Sequence, residues 1–383
     1  MKKIKILHIV TRLNIGGVAF HVIQLAKMFD NDQYESTILF GDVDAHEQDM
    51  RYLADQHNIR LINLPSMGRS INPLEDILCL WKAYRIIRTE NPDIVLTHTA
   101  KAGVVGRIGA KLAGVKSIIH TFHGTNFTGY FGKLMSSVSM NIERVMAMLC
   151  TNVIVISDQQ KAELLRFRIC NAAKIRVIHL GFELEDMVYA PSDAGKFKTA
   201  LGITPEKRIV AFVGRLTSIK NPFQIIKIAQ HLLLIRDDVV FVFVGDGELT
   251  EGLKAEVRLA GLQDSVLFTG FLQDLKPLYA DMDILLMTSL NEGTPVAIIE
   301  AMANRRIVVS SRVGGIPDLI THNESGYLFP PDQTDSFVAA ISAILDDPQK
   351  YKQMTVLAHQ KAVTEFSATR LQAKMSALFK EQF

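Results

Sequence analysis

The chain has 383 residues, 48% of them hydrophobic and 21% charged, with a formal net charge of +2. That length is too great for one compact core and favours two domains; the composition is that of a soluble globular protein, and the charge gives no global case for nucleic-acid binding. No window approaches the ~18 consecutive apolar residues that span a membrane, and the three cysteines, Cys79, Cys150 and Cys170, have no metal-ligand spacing and point to a reducing compartment.

The opening MKKIKILHIVTRLN has an apolar run broken by Lys5, His8 and Arg12 and lacks a small-residue cleavage site, so it reads as a first strand and not as a leader. A helical pattern follows at Val18–Phe29, then the strand YESTILF, a helix around Ala45–His57 and the strand IRLINL. Pro73 opens a helix to about Glu90; DIVLTH, a helix near Lys101–Ala113 and VKSIIHTF come next, and a long helix near Lys133–Cys150 precedes NVIVIS and IRVIHLGF. Short Val/Ile-rich runs alternating with amphipathic helices predict a doubly wound parallel sheet buried on both faces.

The alternation lapses over Glu183–Lys207, which holds two prolines and two glycines and reads as a linker with one short helix. It restarts with RIVAFVGRL, VVFVFVGDGE, SVLFTGF, DILLMTS and RIVVSS, and the tail from about Gln333 is helical. The expected division is a first Rossmann-like domain at 1–185, a linker at 186–206 and a second Rossmann-like domain at 207–365. In such sheets ligands sit beyond the C-terminal ends of the strands, and a cleft between two such domains is the natural site.

Candidate site residues cluster at those strand ends. Gly16 and Gly17 stand between the first strand and its helix, where backbone can approach a ligand and the helix N-terminus favours anions; the pattern is not G-x-G-x-x-G and no acid closes the next strand, which argues against a nicotinamide dinucleotide. In HTFHGTNF, His120 reads as a structural histidine and His123 as a hydrogen-bonding group, with no Cys, Asp or Glu nearby for zinc. Arg215 and Lys220, just past RIVAFVG, suit a diphosphate, the first as a fork and the second as a point charge. Gly245 and Gly247 form a turn that can border a nucleotide. Asp281-x-Asp283 lies at the wrong end of a strand for a metal and reads as a solvated turn.

NEGTPVAIIEAMA, Asn291–Ala303, is the most informative stretch. Thr294 is expected to cap a helix whose first residue is Pro295, which aims first-turn amides at an anion. Glu292 precedes the cap and Glu300 lies on the same side as Val296. Carboxylates accept hydrogen bonds, and adjacent sugar hydroxyls supply donors, so a phosphate, a ribose and a second sugar together fit this layout.

On these residues the chain resembles the family-4 retaining glycosyltransferases of the GT-B fold. The similarity covers nearly the whole chain; its most specific part is the pair Glu292 and Glu300 with seven residues between them, and Gly16-Gly17, HTFHG, VGRLTSIKN, VGDGE and FTGF match other landmarks in order. The resemblance implies that Glu300 holds ribose hydroxyls, and that Glu292 with the backbone of Gly293, Thr294, Pro295 and Val296 contacts the transferred sugar and the diphosphate. It gives Arg215 and Lys220 to the leaving diphosphate, His123 to the donor sugar, Gly16 and Gly17 to phosphates and sugar, and the region of Phe268 and Gly245 to the base. No metal and no cofactor are implied; a nucleotide-diphosphate sugar, UDP-linked by expectation, is the co-substrate, and front-face displacement retains configuration. Residues 366–383 resemble a tail that packs back on the first domain. The chain departs from the family in Ala19-Phe20, where members carry a polar or charged pair.

Between Thr97 and Cys150 six basic residues, Lys101, Arg107, Lys111, Lys116, Lys133 and Arg144, face one acid, Glu143, a balance of +5. With the aromatics of NFTGYFGKLMSSV this suggests an anionic membrane surface and a lipid-linked glycan acceptor, and a cytoplasmic protein peripheral at the inner face of the membrane. A non-catalytic nucleotide-sugar-binding subunit and a sugar-nucleotide epimerase of the same fold remain alternatives at this point.

Overall fold

The structure, a computed structural model, describes residues 2–43, 49–68, 72–124 and 133–383. It divides into two compact units, residues 1–181 with 371–383, and residues 182–370. The first holds strands Ile4–Arg12 (β1), Tyr34–Gly41 (β2), Arg60–Asn63 (β3), Ile94–His98 (β4), Ser117–Phe122 (β5), Asn152–Val155 (β6) and Ile175–Val177 (β7). They form one sheet in the order β3-β2-β1-β4-β5-β6-β7, every described pairing parallel.

Successive side chains of β1 serve opposite layers, as the two-residue period of a strand requires. Ile6 packs with Leu25 of the Gly17–Met28 helix and its C-cap Phe29, and with Leu371, Met375, Leu378 and Phe379 of the last helix, Ala368–Lys380. Leu7 packs on the other face with Cys79, Ala83 and Ile87 of the Pro73–Glu90 helix and with Ala102 and Ala110 of the Ala100–Leu112 helix. The end of the chain therefore returns to the first unit. Phe379 meets Phe29 edge-on at 5.0 Å, and Gln382 bonds to Ser117 and Asn152.

Local signals set the helix ends. The Asn72 side chain accepts from the Leu74 amide, Pro73 occupies the first helical turn, and Asn91 in the left-handed region stops the helix. The helix expected around Ala45–His57 is seen as Arg51–Gln56, residues 44–48 lying outside the described residues. The loop aromatics Phe127, Tyr130 and Phe131 also lie outside them.

The second unit holds Arg208–Val213 (β8), Val239–Val244 (β9), Val266–Gly270 (β10), Ile284–Met287 (β11), Ile307–Ser311 (β12) and Tyr327–Phe329 (β13), in the order β10-β9-β8-β11-β12-β13, again parallel. β13 has no counterpart in the sequence reading: three residues give no usable period. Residues 186–206 contain a 3₁₀ turn at Pro191–Asp193 and the helix Lys196–Leu201, next to the short helix Leu184–Met187. They are bound into the second unit: the Tyr189 amide donates to the Asn304 side chain at 2.9 Å.

Two expectations are corrected here. Asp281 and Asp283 are not a solvated turn. Asp281 accepts from the amides of Gly195 and Lys198 at 2.6 and 2.9 Å, and Asp283 accepts from the Ile209 amide and pairs with Arg208 at 3.1 Å. Nor does the +5 count measure surface charge. Arg107 is fully buried, donates to the Gly103 carbonyl and pairs with Glu143 at 2.9 Å; Lys101 pairs with Asp76 at 2.7 Å. A cation one turn from small residues in a helix that packs on two others goes inside with its partner acid.

Candidate active site

In the second unit the site grows from the C-terminal ends of β8, β9, β10 and β11. The β8, β9 and β10 ends meet through glycine backbone. Gly245 has φ +129°, donates its amide to the Gly270 carbonyl at 2.8 Å, and a Cβ there would lie 2.0 Å from the Gly214 carbonyl oxygen. A Cβ on Gly247 would meet the Leu216 carbonyl at 2.4 Å. These glycines let two loops close on each other and leave a ledge of bare backbone. Phe268, one step inside that ledge, stacks on the core residue Phe243 with centroids 5.0 Å apart, so the core fixes its ring plane.

Beside the ledge, the loop after β8 is stitched to the loop after β11. Thr288, fully buried, donates to the Asn221 carbonyl at 2.9 Å, and the Leu290 amide donates to the Ile219 carbonyl at 2.8 Å. Lys220 reaches across to Glu292 at 2.5 Å, and the Ser289 hydroxyl donates to the same carboxylate oxygen at 2.6 Å. The Glu292 carbonyl accepts from the Gly315 amide, and a Cβ on Gly314, at φ +53°, would sit 1.9 Å from it. Glu292 is thus held through both side chain and backbone. Arg215 is exposed, with no side-chain partner among the described residues.

The helix start differs from the expectation by one residue. The helix is Val296–Ala303, Pro295 is its N-cap at ψ 117°, and no side chain caps it. Proline's ring prevents it from capping as Thr294 was expected to do, and it leaves the first-turn amides of Val296 and Ala297 without a side-chain cap. On the next turn Glu300 accepts from the Tyr279 hydroxyl at 2.7 Å. Burial pushes the Glu300 carboxyl up to about 7, the tyrosine bond opposing the rise, and pushes the Tyr279 phenol well above its ordinary value.

The corresponding edge of the first unit is lined with histidines. His123, at the end of β5, shares a 2.9 Å hydrogen bond between its Nε2 and the Nδ1 of His98 at the end of β4. His21, from the Gly17–Met28 helix, meets His123 edge-on at 5.2 Å, and His8 of β1 stacks on His98 at 6.0 Å. Burial drives His123 down to about 4 and His8 to about 3, and holds His21 and His98 well below their ordinary value, each helped by its neighbouring histidines. The set is neutral at pH 7, so the His98–His123 bond joins one ring N–H to one bare ring nitrogen. His120 is a core residue, bonded to the Thr97 hydroxyl at 2.8 Å and packed edge-on against Phe122. Among the described residues no three His, Cys, Asp or Glu side chains converge to hold a metal ion. Gly16 is the extended N-cap of its helix, and a Cβ there meets nothing within 4 Å. Gly17 begins the helix, and both glycines are exposed.

The structure thus brings Glu292 and Lys220 into one ion pair, and sets Gly293, Thr294, Pro295, Val296 and Glu300 along one loop and helix start. Tyr279, Ser289, Gly314 and His98 escape the sequence reading. Each supports another residue instead of carrying chemistry itself, and only the tertiary contacts reveal that.

Two family descriptions match the chain in succession: Glycosyltransferase Family 4 over residues 15–186 and Glycosyl transferases group 1 over residues 193–360. The chain is a glycosyltransferase built of these two family domains. It is 29% identical over 381 residues, 98% of this chain and 97% of the relative, to the UDP-Gal:alpha-D-GlcNAc-diphosphoundecaprenol alpha-1,3-galactosyltransferase of Escherichia coli. It is 23% identical to the N-acetyl-alpha-D-glucosaminyl L-malate synthase of Bacillus anthracis, over 80% of this chain and 79% of that one. The fold matches that of Anabaena HepE, solved in complex with UDP and glucose, with a TM-score of 0.85 at 23% identity, over 98% and 99% of the two chains. The glycosyltransferase has the GT-B architecture of two parallel-sheet α/β units. No helix among its described residues is long and apolar enough to cross a membrane.

Proposed function

We propose that this glycosyltransferase moves a hexosyl or N-acetylhexosaminyl group from a UDP-sugar to a lipid-linked glycan, retaining the anomeric configuration, at the cytoplasmic face of the membrane. The observation that carries the reading is the ion pair of Lys220 with Glu292, fixed by Ser289 beside a helix start whose amides are uncapped. The name of the Escherichia coli relative, which spans the full length of this chain, supports both the UDP donor and the lipid-linked acceptor.

In this reading the diphosphate lies against the amides of Val296 and Ala297, with Arg215 as the free cation. Positive groups aimed where charge develops stabilise the transition state. The C1–O bond to the diphosphate breaks, the acceptor oxygen bonds to C1 from the same face, and the acceptor proton passes to the leaving diphosphate oxygen. Lys220 meets the departing charge once the donor competes for it, and Glu292 then accepts from hydroxyls of the migrating sugar. Glu300 accepts from ribose hydroxyls; within the first unit, His123 and the bare backbone of Gly16 and Gly17 are the groups offered to ligand. The cations and amides supply the positive field, and the mechanism assigns no step to a cofactor.

The test is a donor screen with UDP-galactose, UDP-glucose and their N-acetyl forms against a polyprenyl-diphosphate GlcNAc acceptor, read as labelled glycolipid and released UDP. Transfer from one donor with the α linkage supports the reading. A new UDP-sugar epimer, or binding without UDP release from any donor, overturns it.

A further inference from the structure

The first unit carries an outward apolar face that its own core does not use. On the Pro73–Glu90 helix, Leu74 is 80% exposed, Ile77 67% and Trp81 52%, at the spacing of one helical stripe. On the Lys133–Met148 helix, Val138, Ile142 and Val145 form a second stripe, each 45–50% exposed. Both helices lie in the same layer. Cys79 and Ile87 pack on the sheet face that presents Ile118, and Ala147 packs on Phe122, four residues further along the same strand and so on the same side. The Ala100–Leu112 helix lies between them, touching both.

Charge continues the stripe. Lys82, Arg85 and Arg88 are exposed on the Pro73–Glu90 helix against one exposed acid, Glu75; Asp76 is already paired with Lys101, and Glu90 with Arg60. The Arg85 guanidinium lies 4.9 Å from the Trp81 ring. Apolar side chains, a tryptophan and then cations along one helix face match a lipid interface, where acyl chains, headgroups and anionic charge lie in that order. Because helices run antiparallel to the strands, the Leu74 end lies at the C-terminal edge of the sheet, the edge that carries His98 and His123.

We propose that this two-helix face is the membrane-docking surface of the enzyme and seats on an anionic lipid layer. The inference deepens the proposed function, on which it rests for a reason to bind lipid: an acceptor anchored in the same layer. It also replaces the basic cluster counted from the sequence, much of which is paired or buried, with a surface in which apolar insertion supplies the contact and three cations supply the preference for anionic lipid.

Trp81 is the only tryptophan in the chain, so its emission reports on this helix alone. The full chain is titrated with vesicles of phosphatidylcholine and of phosphatidylcholine mixed with phosphatidylglycerol. The expected result is a blue shift and quenching by brominated acyl chains, stronger with phosphatidylglycerol and weakened by salt. Ile77→Glu and Val138→Glu should each lower partitioning roughly tenfold, and Arg85→Gln with Arg88→Gln several-fold on the anionic vesicles alone. Unshifted emission on every vesicle, or a shift indifferent to Ile77→Glu, overturns the proposal; so does a dimer that Ile77→Glu dissolves while vesicles leave the emission unchanged. Transfer to a water-soluble acceptor analogue is measured in parallel. Intact transfer without vesicle binding sinks the docking surface alone, and vesicle binding without turnover of any UDP-sugar sinks the proposed function alone.

Discussion

The two sheets end in different chemistry. At the C-terminal edge of the first, buried neutral histidines pack ring against ring; at the same edge of the second, an ion pair, uncapped amides and bare glycine backbone meet. One strand architecture thus produces an edge that orients by neutral hydrogen bonds and an edge that holds charge. The difference traces to burial. The first edge buries its titratable groups without opposite charges and makes them neutral, whereas the second sets Glu292 against the opposite charge of Lys220 and the hydroxyl of Ser289.

The largest expected effect comes from breaking the charged edge. Lys220→Ala should lower kcat by about 10³, measured as UDP release, while circular dichroism stays unchanged. His98→Asn in the neutral edge should cost far less, and equal losses would erase the distinction.

A second prediction removes a charge buried below the neutral edge. Arg107→Ala leaves Glu143 buried and unpaired and should destabilise the protein by about 3–5 kcal/mol, read by urea unfolding. Arg107→Met with Glu143→Leu should restore most of that stability, because the apolar pair fills the space without desolvating charge.

Glycines sharpen the comparison next. Gly245→Ala places a Cβ against the Gly214 carbonyl at a positive φ and should cost about 3 kcal/mol. Gly16→Ala meets open space and should change stability by about 1 kcal/mol or less, as a cap residue. Its effect should appear instead in donor affinity.

The smallest effects have opposite signs in the two units. The histidine values are lowered on folding, so between about 6.5 and 4 the unfolded chain takes up protons first and the first unit loses stability as pH falls. The Glu300 value is raised from 4.5 to about 7, so its contribution is present below 4.5 and is lost as pH rises towards 7. Hydrogen exchange at pH 5 and 7 should show the first unit less protected at pH 5, and Glu300→Gln should remove the second unit's opposite trend. UDP affinity should rise through pH 7 in the parent and stay flat in that variant, since a ribose hydroxyl needs the carboxylate as acceptor.

Much of this was legible in the chain. Parallel strands buried on both faces write themselves as continuous Val/Ile runs, which is why β1, β2, β8 and β9 are evident and the three-residue β13 is not. Glu292 and Glu300 stand out because two acids in an apolar segment demand an explanation. The lysine was readable as a cation at a strand end, yet its pairing with Glu292 spans 72 residues of chain. Thr294 misled because a cap preference is local, while Pro295, with its extended ψ, moved the helix start by one residue. Counting charges misled for a similar reason, since Arg107 contributes to composition as a surface cation does until packing places it inside.

Sequence by itself determined the alternating architecture, the glycines at the strand ends and the candidate acids and cations, because these depend on short-range period and residue type. Only the tertiary structure decided which groups are charged, which are paired and which face outward. Those properties depend on neighbours brought from distant strands, and it is desolvation and contact, not residue type, that separated the neutral histidine edge from the one built on an ion pair and left Leu74, Ile77 and Trp81 on the surface.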